Sequence, residues 1–391
     1  MTAAADGTTG RFLVLLDDDW TDATQELNRV AGIRTADTAE AGATPGLWQA
    51  DGLLMRELGV ALVTADDDQH RRLAEAVDAP GPIMRVEPER MVRAIEPSAP
   101  VVADEAQAID ETVFTWGLQA TGAANSTFSG EGIRVAVLDT GFDLEHPDFK
   151  GRTVVSKSFV QGEEVQDGNG HGTHCVGTSC GPRQVDEGPG YGVAHKAEIF
   201  AGKVLSNAGS GGDGGILSGI DWAISNRCAV VSMSLGADID PDTPFSRIYE
   251  RVAARALQRG TLIVAASGNA SNRPGHIAPV GHPANCPSIL AVGAIDAQRR
   301  VAAFSSGTVN KLGAVDLAGP GVDVYSSYPM PLRYKRLRGT SMATPHVSGV
   351  AALIAQATGA RSYELWARLA QTAERLPVPG TDVGAGLVQA P

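Results

Sequence analysis

The chain has 391 residues, 45 of them acidic and 32 basic, for a net charge of −13; 43% are hydrophobic and 5% aromatic. That length exceeds one ordinary domain, and the apolar content suffices for a large core. The negative charge argues against nucleic acid and anionic membrane as partners, and no apolar run approaches the roughly 20 residues of a membrane span. The acidity is uneven: acids outnumber bases roughly two to one before residue 100, and the first lysine is Lys150. Met1 to Gly10 is polar, with no basic start and no long apolar stretch, so no signal peptide is readable. Cys175, Cys180, Cys228 and Cys286 are too few and too scattered for a disulfide framework, and buried free thiols are expected.

In chain order, residues 11–96 read as a compact α+β unit. Arg11 to Leu16 predicts a strand, Asp22 to Val30 a helix, and Gly59 to Ala65 a second strand. Asp66-Asp67-Asp68 opens a helix with acid at its N-terminus, as the helix dipole favours. Pro82 to Ile95 carries further strand. This β-α-β-α-β order fits a ferredoxin-like two-layer unit. Residues 97–112 read as a linker: Pro97-Ser98-Ala99-Pro100 and the acidic, Ala-rich run after it have little to bury, so exposure and proteolytic access are expected.

From Trp116 onward strands and helices alternate. The expected strands are 134–139, 198–204, 229–234, 261–266 and 289–293. The expected helices are 171–179, 215–226, 245–260 and 344–358, with a late amphipathic one over 365–376. Such alternation predicts an α/β fold with a mostly parallel, doubly wound sheet. Residues 113–391 are assigned to it as one domain.

Three motifs carry chemistry. Val135-Ala136-Val137-Leu138-Asp139 is a buried-strand pattern with a carboxylate at its carboxyl end, where open α/β sheets place their ligands. Asn169-Gly170-His171-Gly172-Thr173-His174 sets a Gly-flanked His at a helix start. Gly339-Thr340-Ser341-Met342-Ala343-Thr344-Pro345 sets a Ser at the start of an apolar helix, where unpaired N–H groups point outward. A serine hydroxyl is a weak nucleophile until a neighbouring base takes its proton. The reading is Ser341 as nucleophile, His171 as general base and then acid, and Asp139 as holder of the imidazole. Asp, His, Ser in that chain order is one of three orders seen in unrelated serine hydrolases. The α/β-hydrolase order, with its Gly-x-Ser-x-Gly elbow, is absent. His171 and His174 lie three apart but lack the Glu of a HExxH zinc motif, and His276, His282 and Cys286 offer no paired-ligand spacing.

These three motifs, in this order, resemble the subtilisin-like serine peptidases from about Trp116 to the C-terminus. The resemblance implies an endopeptidase that passes through an acyl-enzyme and needs no cofactor for its chemistry. Asn269, in Ala266-Ser267-Gly268-Asn269, matches the family's oxyanion donor. Gly209-Ser210-Gly211 and Ser232-Met233-Ser234-Leu235-Gly236 resemble the segments that hold an extended substrate as a third strand, with Ala266, Ser267 and Gly268 beside them. Gly281 matches the floor of the first pocket. Asp213 stands where relatives carry an aromatic wall of the P4 pocket, which suggests a basic P4 residue. Residues 11–96, notably Val86-Glu87-Pro88-Glu89-Arg90, resemble the inhibitory propeptide, which implies a self-inhibited zymogen cut within 97–112. Peptides or proteins as substrate, the chain's own propeptide as inhibitor, and a monomer are the expected partners and state. The resemblance suggests an extracellular site, the chain as written a cytoplasmic one. Many relatives bind structural calcium in the loop after the His helix. Here that loop, Gly181 to Gly190, lacks the Asn-rich segment, and Asp148 and, less clearly, Asp316 are isolated carboxylates. A catalytically silent binding protein on the same fold is the alternative.

Overall fold

The computed structural model describes residues 7–17, 23–38, 51–95 and 109–391. The first residue of the expected helix 22–30 and most of the expected linker (97–108) lie outside the described residues. The N-terminal unit runs β1 (Thr8–Leu16), α1 (Ala23–Ala31), β2 (Thr35–Asp37), β3 (Gly52–Met55), β4 (Val60–Val63), α2 (Asp67–Val77) and β5 (Ile83–Ala94). Its sheet order is β5-β1-β4-β3-β2, which is a ferredoxin-like order with the short β2 added at the edge. Asp66 caps α2 through a reciprocal capping box with Gln69.

The unbroken apolar run of β1 has a physical reason. Side chains alternate across a strand. Val14 and Leu16 pack with Leu27, Ile33, Leu73 and Ile83 in the unit's own core. Leu13 and Leu15, on the other face, join Met55, Val60 and Leu62 against residues of the second unit. The sheet is therefore buried on both faces.

The second unit is α/β. Its main sheet comprises β6 (Arg134–Asp139), β7 (Val154–Ser158), β8 (Glu198–Lys203), β10 (Val230–Met233), β12 (Leu262–Ala266), β13 (Leu290–Ile295) and β14 (Leu317–Pro320), ordered β14-β13-β12-β10-β6-β8-β7. Every neighbouring pair in it is parallel. Helices α4 (His171–Cys180), α5 (Asp213–Ser225), α6 (Arg247–Gln258), α7 (Thr340–Thr358) and α8 (Ser362–Thr372) cover it. Around it lie α3 (Trp116–Ala120), β9 (Ser210–Gly212), β11 (Leu235–Gly236), the antiparallel hairpin of β15 (Val324–Ser327) and β16 (Tyr334–Leu337), and α9 (Gly380–Val383). The chain leaves β6 toward β8 on one side and toward β10 on the other. Residues at the carboxyl ends of these strands thus share one crevice. None of the described helices is long and apolar enough to cross a membrane.

Helix α7 starts at Thr340, four residues earlier than expected, so Pro345 lies inside it. Proline has no N–H for the carbonyl four residues back. That carbonyl belongs to Ser341. It accepts the Ser234 hydroxyl at 2.7 Å and the Cys175 thiol at 3.6 Å instead.

Candidate active site

Asp139 ends β6, His171 begins α4 and Ser341 lies in the first turn of α7. All three are buried. His171 Nδ1 is 2.8 Å from Asp139 Oδ1, which also accepts the Thr140 N–H at 2.7 Å. The opposite ring nitrogen, Nε2, has no hydrogen-bond partner among the described residues. Burial, the largest single influence, would pull the His171 pKa down, but the charge and hydrogen bond of Asp139 and the neighbouring Cys175 together outweigh it and hold the pKa well above its usual 6.5. The Cys175 thiol lies beneath the ring, 3.8 Å from Nδ1, and burial pushes its pKa up. All four cysteines are free and buried.

The Ser341 hydroxyl does not bond His171. It donates to the Ile95 carbonyl at 2.8 Å, with the Ser234 carbonyl at 3.3 Å. The same Ile95 oxygen accepts Asn269 Nδ2 at 2.9 Å. The Asn269 amide is held one way round, because its Oδ1 accepts both the N–H and the hydroxyl of Thr340 at 2.9 Å. The Ser341 backbone N–H does not reach this oxygen. Gly339, at φ +145, makes the approach feasible: a Cβ there would lie 2.9 Å from Asn269 Nδ2 and 3.3 Å from the Ile95 oxygen.

The chain leading to Ile95 lies in a three-stranded antiparallel arrangement. Met91, Val92 and Arg93 pair with Gly212, Gly211 and Ser210, and the Ala94 N–H donates to the Gly209 carbonyl at 2.9 Å. On its other edge Ala94 pairs with Leu235 and Arg93 with Gly236. The expected segments Gly209 to Gly211 and Leu235 to Gly236 are therefore brought to an extended peptide. Ser232 and Met233 are not: they are rungs of β10, paired with Val137 and Leu138 of β6. Ser267 and Gly268 close the wall behind Asn269, and the Ser267 carbonyl accepts the Gly281 N–H at 2.9 Å. Ala266 ends β12. At Gly281 a Cβ would meet the Ala237 carbonyl at 2.7 Å.

The expectation of a basic side chain opposite Asp213 does not hold. Asp213 is buried and its carboxylate is used internally, accepting Tyr249 OH at 3.0 Å, His282 Nε2 at 3.1 Å and the Arg90 N–H at 2.9 Å. The position three residues before Ile95 is filled by the fully buried Val92.

Several residues that organise the site carry no strong sequence signal. Asp167 accepts the N–H groups of Asn169, Gly170 and Thr173 and the hydroxyls of Thr140 and Thr173, all at 2.8–3.0 Å. It caps α4 and so fixes His171; an acidic residue four positions before the helix was the available clue. Lys203, fully buried beside Asp139 in the sheet, is held by Asn207 at 2.9 Å and Glu163 at 3.2 Å. His174 is not part of a metal pair: its Nε2 faces the carbonyls of Val324 and Lys335 at 3.0 and 3.1 Å, and burial pulls its pKa down to about 3.

The N-terminal unit is anchored by charge as well as by packing. Glu87 accepts from the Ser246 hydroxyl at 2.6 Å and the Arg247 N–H at 3.1 Å, at the start of α6. Glu89 accepts the Gly214 N–H at 2.8 Å, at the start of α5, and pairs with Arg11 at 2.7 Å. A carboxylate at a helix N-terminus meets unpaired N–H groups and the positive end of the dipole. Arg255 of α6 reaches back to the carbonyls of Leu58 and Leu16.

A parallel sheet that gathers Asp, His and Ser in that order at one rim, with an amide aimed at a carbonyl beside the Ser, defines a serine-hydrolase type of site. The chain belongs to the subtilase family: residues 130–387 match the family model. Among relatives, M-protease of Shouchella clausii (strain KSM-K16) is 43% identical over 247 residues, which cover 62% of this chain and 59% of that protein. Subtilisin DY of Bacillus licheniformis is 42% identical over 230 residues, 58% of this chain and 78% of its own length. Subtilisin Savinase of Lederbergia lenta is 42% identical over 247 residues, 62% of this chain and 84% of its own length.

Proposed function

We propose that the protein is a serine endopeptidase of extended polypeptides, made as a zymogen whose N-terminal unit occupies its own substrate cleft. The observation that carries this is the Ile95 carbonyl, which accepts both the Ser341 hydroxyl at 2.8 Å and the Asn269 amide at 2.9 Å. Of the chain before it, residues 91–94 pair along one edge and residues 93–94 along the other, as a substrate strand would.

In this reading Ser341 attacks the Ile95 carbonyl carbon. A turn about χ1 brings the hydroxyl from the carbonyl oxygen toward His171 Nε2, whose acceptor position is open. His171 takes the proton, and Asp139 stabilises the imidazolium that forms. The oxygen that gains negative charge already faces Asn269, held in place by Thr340. The bond to Glu96 breaks, His171 returns the proton to the leaving amine, and water then releases the acyl group. After cleavage the strand ending at Ile95 remains as a product-like inhibitor until it leaves. No step calls on a cofactor.

The test compares wild-type protein with Ser341→Ala after incubation, by intact mass and N-terminal sequencing. Wild type is expected to yield a fragment beginning at Glu96, which puts the cut just before the 97–112 stretch expected from the sequence, and the variant to stay whole. A silent binding protein on this fold would leave both intact.

A further inference from the structure

The resemblance to subtilisin-like enzymes implies a structural calcium ion near Asp148 and the loop that follows α4. Calcium takes roughly six to eight oxygen ligands at about 2.3–2.6 Å. The residues around Asp148 do not fit that requirement. Its carboxylate is surrounded by hydrogen-bond donors. Arg333 Nη2 lies 2.9 Å from Oδ1, Tyr191 OH 2.8 Å from Oδ2, and Tyr334 OH 3.2 and 3.0 Å from the two oxygens. The Asp148 side chain is 3% exposed, so no open face remains for an ion.

The donors are built to stay donors. Burial and then the Asp148 charge push the pKa of both phenols upward, so each keeps its proton. Hydrogen bonding to Asp148 likewise raises the Arg333 pKa. The rings of Tyr325 and Tyr334 stack at 5.1 Å, Tyr191 packs edge-on against both, and the Arg333 guanidinium lies 5.0 Å over Tyr334. On the loop after α4, Asp186 and Glu187 stand 3.9 Å from the same guanidinium. Among the described residues the only group of three or more side chains able to share a metal is Asp139, His171 and Cys175, in the catalytic cleft. Asp316, the other isolated carboxylate, is half-buried, bonded to the Ala291 N–H at 2.8 Å, and has a pKa raised to about 7 by desolvation.

We propose that the Arg333 guanidinium, with the phenols of Tyr191 and Tyr334, stands in for a divalent cation at Asp148, so that this part of the fold is held without calcium. Arg333 then does what an ion would do there. It neutralises a buried carboxylate and bridges three pieces of chain: the turn after β6, the loop after α4, and the β15–β16 hairpin that leads into Ser341. A planar, permanently charged fork suits this better than an ammonium, because it bonds Asp148 and stacks on Tyr334 at once. A calcium ion placed at Asp148 would face the fixed positive charge at close range.

The experiment uses the full chain carrying Ser341→Ala, so that proteolysis does not confuse the melting curve. Its Tm is expected to be the same in excess calcium and in excess EGTA. Arg333→Met should lower Tm by several degrees in both, and Arg333→Lys should recover only part of the loss. A calcium-dependent rise in Tm that Asp148→Asn abolishes would overturn the proposal, as would an unchanged Tm in Arg333→Met. A rise that Asp148→Asn leaves intact places an ion elsewhere and upholds it. If Asp148→Asn does not fold, terbium luminescence excited through Tyr191 and Tyr334 decides in the Ser341→Ala chain itself. No emission sensitised by these phenols is expected; saturable emission that calcium displaces and that Tyr191→Phe and Tyr334→Phe together abolish would overturn the proposal, and emission that survives those changes places the ion elsewhere and upholds it.

Discussion

Asp221 makes the hold of the N-terminal unit on the cleft depend on pH in a calculable way. Asp221 lies on α5, facing the N-terminal unit. Its carboxylate accepts the Glu57 N–H at 2.9 Å and the Thr38 hydroxyl at 3.1 Å. Burial raises its pKa from 3.8 to about 6, against the pull of those hydrogen bonds. Once the N-terminal unit leaves, Asp221 regains solvent and an ordinary value. A group whose pKa is raised in the docked state favours docking fully below its free value and loses that contribution as pH rises through the docked one. The window is therefore about pH 4 to 6, and docking should be weaker above it. A shift of about 2 units is worth ~3 kcal/mol at 1.36 kcal/mol per unit, or roughly a hundredfold in affinity. Asp221→Asn keeps an oxygen for the Glu57 N–H but has nothing to titrate, so its affinity should vary much less over this range. The assay is turnover of a chromogenic peptide after dilution of the processed complex at a series of pH values. If the wild-type and Asp221→Asn curves run parallel from pH 4 to 8, the reasoning is wrong.

Two further predictions concern the chemistry. Asn269→Ala removes the one side-chain donor, apart from the nucleophile Ser341 itself, that the described residues place on the Ile95 oxygen, and should lower kcat by roughly 10²–10³ with little change in KM, a magnitude known from a subtilisin; steady-state kinetics on a peptide substrate check it, and a change confined to KM would remove the assigned role. The raised His171 pKa sets the acid limb: activity requires the neutral ring, so kcat/KM should fall as pH drops through a midpoint above 6.5, and Asp139→Asn should move that midpoint down in whatever activity remains.

The site was legible in the sequence because its parts are local. Asp139 ends an apolar strand, and His171 and Ser341 each begin a helix next to glycine, so each motif announces its own backbone. The parallel sheet was legible for the same reason, through strand–helix alternation. What escaped depends on approach in space. Val92 and Ile95 look like ordinary strand residues until β5 is seen between β9 and β11. Asp213 reads as a charged wall of the P4 pocket, yet it is buried by Tyr249, His282 and the Arg90 backbone. Ser232 and Met233 belong to a segment that does line the cleft, but only its last two residues, beyond the central sheet, reach the bound strand. The start of α7 was misplaced because Pro345 argues for a helix start nearby. The helix tolerates it because Ser234 and Cys175 supply the donors that the proline lacks. Arg333 sits in an exposed-looking basic run, and nothing local ties it to Asp148.

The most direct measurement is the N-terminal sequence of the enzyme core after the purified wild-type chain has been incubated alone. It is expected to begin at Glu96, and Ser341→Ala protein treated identically to yield no such fragment. A core beginning elsewhere, or equal processing of the variant, would contradict the placement of Ile95 at the reacting centre.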